Sequence, residues 1–342
     1  NRMRKSIQII YFLRFFATGV TIPVLSLILL ARGATIETIS LIIGVYSLTV
    51  IVSEFPSGVF ADLCGPKNTY LLSSALSFLS YSILLLSRSV PVLLCGMVIH
   101  GLSRAFASGS IEALMIDQAA EQQIALERIT ARLSILESAG YAGGALAGGL
   151  LAEVGTHFSG NLTVNIVISA ILTLLTAIFV HEAPREKTQH AAASHLRLFG
   201  AQVKESLSFA RQRGTVRILL VLSLLMGFAL NSIEIYWQPA LSAFQTPSWV
   251  FGAVSFGGFS FVMFGSWLAS RLLRRNRKSG IGLLLLLKVS LGAGLLLFSR
   301  AASAFSTIGV YLVLYLLIGG GGVVENTLLN RLAPARHRAS IL

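Results

Sequence analysis

Among the ionisable side chains that stand inside long apolar runs of this sequence are Arg14, Arg104, Glu112, Glu234 and Glu325. A charge held away from water is costly, so residues of this kind are functional candidates by default. The chemistry they offer is ion pairing and proton transfer. A desolvated carboxylate beside an arginine feels two opposing influences on its protonation, and a group that must take up and release a proton needs that balance. Arg104, Ser108 and Glu112 are spaced to share one face of a helix, and Glu54 and Glu137 lie in neighbouring apolar runs near the level of Glu112. Glu112, Glu137 and Glu54 are the candidates for proton coupling.

Other chemistries find no support. There is no Gly-x-x-x-x-Gly-Lys loop to cradle phosphates, which argues against ATP drive. His100, His157, His181, His190, His195 and His337 fall in different elements without metal-ligand spacing, apart from a loose pair, His190 and His195. Cys64 and Cys95 sit in different elements and are not expected to pair or to hold a metal. No nucleophile-and-base set can be assembled. The sequence therefore predicts no enzyme, no cofactor and no metal.

The elements that carry these residues follow from composition. The chain has 342 residues, 54% hydrophobic and 12% charged, with a mean hydropathy of +0.77, whereas a soluble domain carries about 25% charged residues. Lipid must be the solvent. The net charge of +13 is not a nucleic-acid footprint, because the basic residues sit between apolar runs instead of on one folded face. A membrane span needs about 20 mostly apolar residues. Ten runs qualify: 7–31, 37–61, 69–87, 90–117, 133–155, 161–180, 215–243, 249–271, 280–298 and 303–330. The first is too long for a signal-peptide core, and no small-residue cleavage site follows it. With a cytoplasmic N-terminus, only Arg32, Arg88 and Arg300 fall outside, and Arg14, Arg104 and Lys288 fall within spans; every other lysine and arginine is inside. That bias fixes the expected orientation.

The longest connection, 181–214, is polar from Pro184 to Ser194. It then sets Leu196, Phe199, Val203, Leu207 and Ala210 on one face, as in a helix lying in the membrane interface. The chain thus divides into a six-helix bundle over 1–180, a cytoplasmic linker over 181–214 and a second bundle over 215–342. A weak internal repeat relates the two halves: Gly-Ser-Ile-Glu112 with Asp117 matches Gly-Val-Val-Glu325 with Asn330, and Ser134-Ile135-Leu136 matches Ser340-Ile341-Leu342. By that register Ser340 begins an eleventh span. The second bundle is expected to be incomplete in this chain, as in a truncated protein.

Two glycine-bearing segments carry a family likeness. Gly58-Val-Phe-Ala-Asp62-Leu63-Cys64-Gly65-Pro66-Lys67 resembles the signature loop of the major facilitator superfamily, Gly-x-x-x-Asp-(Arg/Lys)-x-Gly-x-(Arg/Lys), with Leu63 at the first basic position. In that pattern Gly58 would admit a neighbouring helix, Gly65 would permit the turn, and Asp62 would face a helix N-terminus or a basic side chain. Gly58, Asp62, Gly65 and Lys67 form the candidate cytoplasmic gate. In the fifth span, Gly140, Gly144, Gly148 and Gly149 resemble the glycine-rich motif of the family's antiporters, with Ala145 in place of proline; glycines four apart also make a smooth packing strip. A counterpart of the first motif runs from Gly265 through Ala269 to Arg271, with Arg274 and Arg275 behind it.

The resemblance implies an all-α membrane protein with the major facilitator fold, two pseudo-symmetric six-helix bundles whose spans one, four, seven and ten line a central cavity. It places Arg14, Arg104, Glu112, Glu234 and Glu325 on cavity helices, with Phe15, Phe16, Tyr141, Asn231 and Tyr236 as further contacts. Lys288, on span nine, would snorkel at the lipid-facing periphery. The implied function is proton-driven export of a small, partly hydrophobic molecule by alternating access, with proton-linked uptake or uncoupled facilitation as the alternative. From another class, a lipid scramblase or flippase, or a membrane sensor that does not transport, remains open. The expected partners are a small-molecule substrate, protons and the lipid bilayer, with no nucleic acid. The chain is expected to be monomeric in the cell membrane.

Overall fold

The computed structural model describes residues 5–108, 110–121, 123, 126–180, 214–275 and 280–332. The interfacial helix expected over 196–213, the span expected from Ser340 and the side chains of Asp117 and Asn330 lie outside them. Among the described residues every regular element is helical: α1 (Lys5–Thr21), α2 (Leu25–Ala31), α3 (Ile36–Cys64), α4 (Pro66–Leu86), α5 (Val90–Ala107), α6 (Ser110–Glu121), α7 (Leu126–Leu151), α8 (Ser159–Phe179), α9 (Gly214–Ser242), α10 (Ser248–Arg275), α11 (Gly280–Ser299) and α12 (Ala304–Leu332). Eight stretches are long and apolar enough to cross a membrane, with α1–α2 and Val90–Ile116 each counted once. The remaining two expected spans, 133–155 and 215–243, fall on α7 and α9, helices of 26 and 29 residues.

Two expected spans are broken, each for a local reason. In the first, Pro23 has no N–H to continue the ladder, and Ile22–Val24 winds as a 3-10 turn. Side chains of α8 satisfy the groups around this kink. The Asn161 amide donates to Val20 O at 3.1 Å and to Gly148 O at 2.8 Å, and Asn165 donates to Thr21 Oγ1 at 2.6 Å. In the fourth span, α5 stops at Ala107, Ser108 is extended (φ −60°, ψ 127°), and α6 starts afresh at Ser110. Arg104 and Glu112 therefore do not share the continuous helical face that their spacing predicts.

Turn chemistry fixes the other ends. Gly65 adopts φ 84° between α3 and α4, a conformation open to glycine at little cost, and Pro66 begins α4, where its missing N–H is not needed. At the start of α3, Thr35 and Thr38 form a reciprocal capping box.

The described residues divide into two compact units, one drawn from 1–189 and 247–255, the other from 190–246 and 256–342. In the first, α1 packs on α7 and α8, α4 on α5 and α8, and α3 on α5, around a core that includes Ile7, Ile10, Tyr11, Ile111 and Met115. The glycine strip of α7 sets the closeness of α1. A Cβ at Gly140 would stand 2.8 Å from Phe12 O, one at Gly144 2.9 Å from the Gly19 Cα, and one at Gly148 2.9 Å from the Val20 carbonyl carbon. Gly149 turns instead towards the backbone of Gly252, within the same unit.

In the second unit α9 and α11 pack on α12, with Ala269, Leu273, Leu284 and Val324 buried together. Gly265 and Gly319 bring α10 against α12: a Cβ at Gly319 would lie 2.8 Å from the Val262 Cα. Gly58 differs from its counterpart Gly265. A Cβ there would meet none of the described residues within 4 Å.

Candidate functional site

A cavity of about 270 Å³ opens within the first unit, lined by residues of α1 and α3 to α8. It gathers Arg14, Phe15, Glu54, Arg104, Glu112, Glu137 and Tyr141 from the sequence-predicted set. Phe16 is not among its lining residues; its ring lies over Gly143 and near Phe12.

The charged groups of this cavity are connected in a definite order. Arg14 Nη1 donates to Glu112 Oε1 at 3.0 Å, forming an ion pair whose side chains are 17% and 25% exposed. The second carboxylate oxygen of Glu112, Oε2, is buried without a hydrogen-bond partner among the described residues. The Arg14 guanidinium also lies 4.9 Å from the centre of the Phe15 ring, a cation–π contact, and Phe15 meets Tyr141 edge-on at 5.0 Å. Arg104 hydrogen-bonds the Tyr46 side chain and lies in the field of Glu54. Glu137 feels Arg14, Glu112 and Arg104 electrostatically, and makes no ion pair with a described residue within 4 Å. Among the described residues the cavity therefore holds three carboxylates, Glu54, Glu112 and Glu137, against two guanidiniums, Arg14 and Arg104.

Polar side chains from α4 and α5 build the opposite wall. Ser73 Oγ donates to Ser103 O at 2.8 Å, Ser103 Oγ donates to Ser73 O at 2.9 Å, and the Ser77 and Ser103 hydroxyls are 2.6 Å apart. His100 stacks on Tyr46 at 5.5 Å and meets Tyr81 edge-on at 5.1 Å. Its Nδ1 is buried with no hydrogen-bond partner among the described residues. His100, Tyr46 and the serines are cavity residues that the motif reading passed over. One signal was present, because His100 stands four residues before Arg104 and so shares its helical face.

The second unit places its candidates differently. Glu325 is buried and pairs with Lys288, Nζ to Oε2 at 2.7 Å, and it also accepts a hydrogen bond from Ser223. Lys288 therefore does not snorkel to the periphery; packing of α11 on α12 turns it inward, where it is 14% exposed. Glu234 lies beside Trp237 and within electrostatic range of Tyr311. Asn231 and Tyr236 are exposed on α9. In the gate loop, Asp62 is exposed and pairs with no described cation, while Lys67 Nζ donates to Ala177 O at 3.2 Å, tying the start of α4 to the end of α8.

Residues 7–342 match the family model of the Major Facilitator Superfamily. The chain belongs to the major facilitator superfamily. It is 26% identical over 230 residues to the uncharacterized MFS-type transporter YxaM of Bacillus subtilis (strain 168), a match covering 67% of this chain and 56% of that protein. Its fold is similar to that of the nucleoside transporter NupG, with a TM-score of 0.79 at 15% identity over 100% of this chain and 85% of that one. A D-xylose-proton symporter is similar with a TM-score of 0.70 at 15% identity, over 99% and 85% of the two chains. A bacterial homolog of the human lysosomal transporter Spinster gives a TM-score of 0.66 at 16% identity, over 98% and 76%. At these identities the solved structures establish the major facilitator fold.

Proposed function

We propose that this chain is a secondary active transporter that moves a small molecule across the cell membrane by alternating access, driven by protons in the export direction. Residues 1–180 and 215–342 act as its two helical bundles, and 181–214 as the cytoplasmic linker. The N-terminus is cytoplasmic, the gate residues Gly58, Asp62, Gly65 and Lys67 lie on the inner side, and the carrier works as a monomer. Alternating access needs one binding site that opens to each side in turn. In this reading the substrate occupies the cavity of the first unit, against the faces of Phe15, Tyr46 and Tyr141 and the polar groups of Arg14, His100 and Arg104. A small molecule with an apolar face and at least one hydrogen-bonding group suits that lining.

The observation that carries the reading is the charge inventory of the cavity, three carboxylates against two guanidiniums. One added proton balances it. Neither Glu137 nor Glu54 makes an ion pair with a described residue; Glu137 lies in the field of both guanidiniums, so we assign it the transported proton and place Glu112 second, as the partner of Arg14. Protonation of Glu137 on the outer side and release of that proton on the inner side would couple the return of the empty carrier to inward proton movement, so that proton and substrate travel in opposite directions. Glu54 is the third candidate, in the field of Arg104.

Uptake by proton symport is the second reading. The glycine strip that resembles the antiporter motif is accounted for by the packing of α1 on α7, so it favours export only through the likeness. A thermal-shift screen of purified protein against small amphiphilic compounds identifies a substrate, and vesicle flux under imposed pH gradients then tests the function. Flux against the substrate gradient, driven by inward proton movement, is expected. Flux that ignores the pH gradient would sink proton drive, and no flux of any binding compound would leave the sensor or scramblase classes standing.

A further inference from the structure

A second cavity, of about 290 Å³, lies at the end of the first unit remote from the Gly65 turn, where the chain leaves α2, leaves α4 and enters α8. Its lining includes Arg32, Arg88, His157, Thr156, Ser87 and Ser159, and no carboxylate. Arg32 is 8% exposed. Its Nη1 donates to Leu85 O and, at 3.5 Å, to Ser87 O, and its Nη2 reaches His157 O at 3.4 Å. Its Nε is buried with no partner among the described residues. The Nε–Nη2 edge of a guanidinium is a side that grips an oxyanion with two hydrogen bonds, and here that edge carries one long contact and one empty donor.

The three carbonyl contacts explain how a buried arginine is tolerated. They do not explain why a second arginine stands beside it with no acid on the lining. Burial, and then the Arg88 charge, push the Arg32 guanidinium down from its ordinary value, as expected for two cations that share a site without an anion. The loop behind them is held in costly backbone: His157 and Phe158 both have φ above 50°, a left-handed conformation that non-glycine residues adopt under constraint and that is common at ligand clamps. Phe158 precedes α8 and gives it no side-chain cap, so the positive end of the α8 dipole also faces this end of the unit.

We propose that this cavity is a binding site for a phosphate group, gripped by Arg32 and Arg88 and completed by the hydroxyls of Thr156 and Ser159. The group belongs either to a free phosphate compound or to an anionic lipid headgroup.

The test uses the whole chain, purified in a neutral detergent, with inorganic phosphate added at constant ionic strength against chloride. A saturable rise in melting temperature is expected. Arg88→Gln, at an exposed position, should leave the basal melting temperature unchanged and weaken the phosphate midpoint by about tenfold, the loss of one charge-assisted hydrogen bond. Arg32→Lys keeps the charge and removes the fork, and should weaken it further; if that variant does not fold, Arg88→Gln still decides. In parallel, the chain is placed in nanodiscs of phosphatidylcholine with and without phosphatidylglycerol. Stabilisation by phosphatidylglycerol alone, lost in Arg88→Gln, would assign the site to a lipid headgroup; a response to inorganic phosphate would assign it to free phosphate groups. No stabilisation by either probe, or stabilisation that Arg88→Gln leaves intact, overturns the proposal.

Discussion

Arg14 on α1 holds Glu112 on α6 at 3.0 Å, so the helix break at Ser108 gives this carboxylate to the first helix and not to Arg104. Arg104 is left to Tyr46 and the field of Glu54, and Glu137 to no hydrogen-bonded cation. The proposed separation of roles rests on this pairing: Glu112 as the partner of Arg14, and Glu137 as the proton carrier.

Removing either member of the Arg14–Glu112 pair should destabilise the protein. A buried pair that loses one partner costs about 3–5 kcal/mol, and the partial exposure of these two side chains places the cost below that range. Glu112→Gln and Arg14→Met should each lower the melting temperature in detergent. The double variant should recover more than half of the summed loss, because the stranded charge is gone. Fully additive losses would show that the two side chains are not coupled.

Lys288 and Glu325 should behave as a structural pair. Both are largely buried, so Glu325→Gln and Lys288→Met should each cost about 3–5 kcal/mol, read as a large fall in melting temperature or in yield of folded protein. Vesicles that do incorporate Glu325→Gln should retain their response to a pH gradient. Normal stability with lost coupling would instead move the proton to the second unit.

His100→Phe keeps a ring between Tyr46 and Tyr81 and removes the ring nitrogens. Its melting temperature should stay near that of the unmodified chain. Substrate affinity should fall by about 1 kcal/mol, or roughly fivefold in Kd, the worth of one neutral hydrogen bond. An unchanged Kd in calorimetry would return His100 to a purely packing role.

The ten-span expectation could be read in the sequence because lipid demands long apolar runs whatever the tertiary detail, and a helix satisfies its own backbone. The Gly65 turn was legible for a similar reason, since its cause is local. What escaped were relationships between elements. Nothing along the sequence shows that α11 turns Lys288 towards Glu325, or that Gly265 is pressed against Leu316 while Gly58 meets none of the described residues. The span over 90–117 looked continuous because its apolar content carries on through Ser108, where the backbone does not. Of the charged candidates, Arg14, Glu54, Arg104, Glu112 and Glu137 line one cavity while Glu234 and Glu325 lie in the second unit; neither that division nor the pairing within the cavity could be read from spacing.

The most direct test of the account is Glu137→Gln, in which the amide stands permanently for the protonated carboxyl. Reconstituted vesicles are loaded with labelled substrate and measured twice, once under an imposed pH gradient and once as exchange against unlabelled substrate without a gradient. The account predicts that gradient-driven accumulation is lost while exchange and substrate binding persist. Gradient-driven transport at the rate of the unmodified chain would remove Glu137 from proton coupling and contradict the assignment.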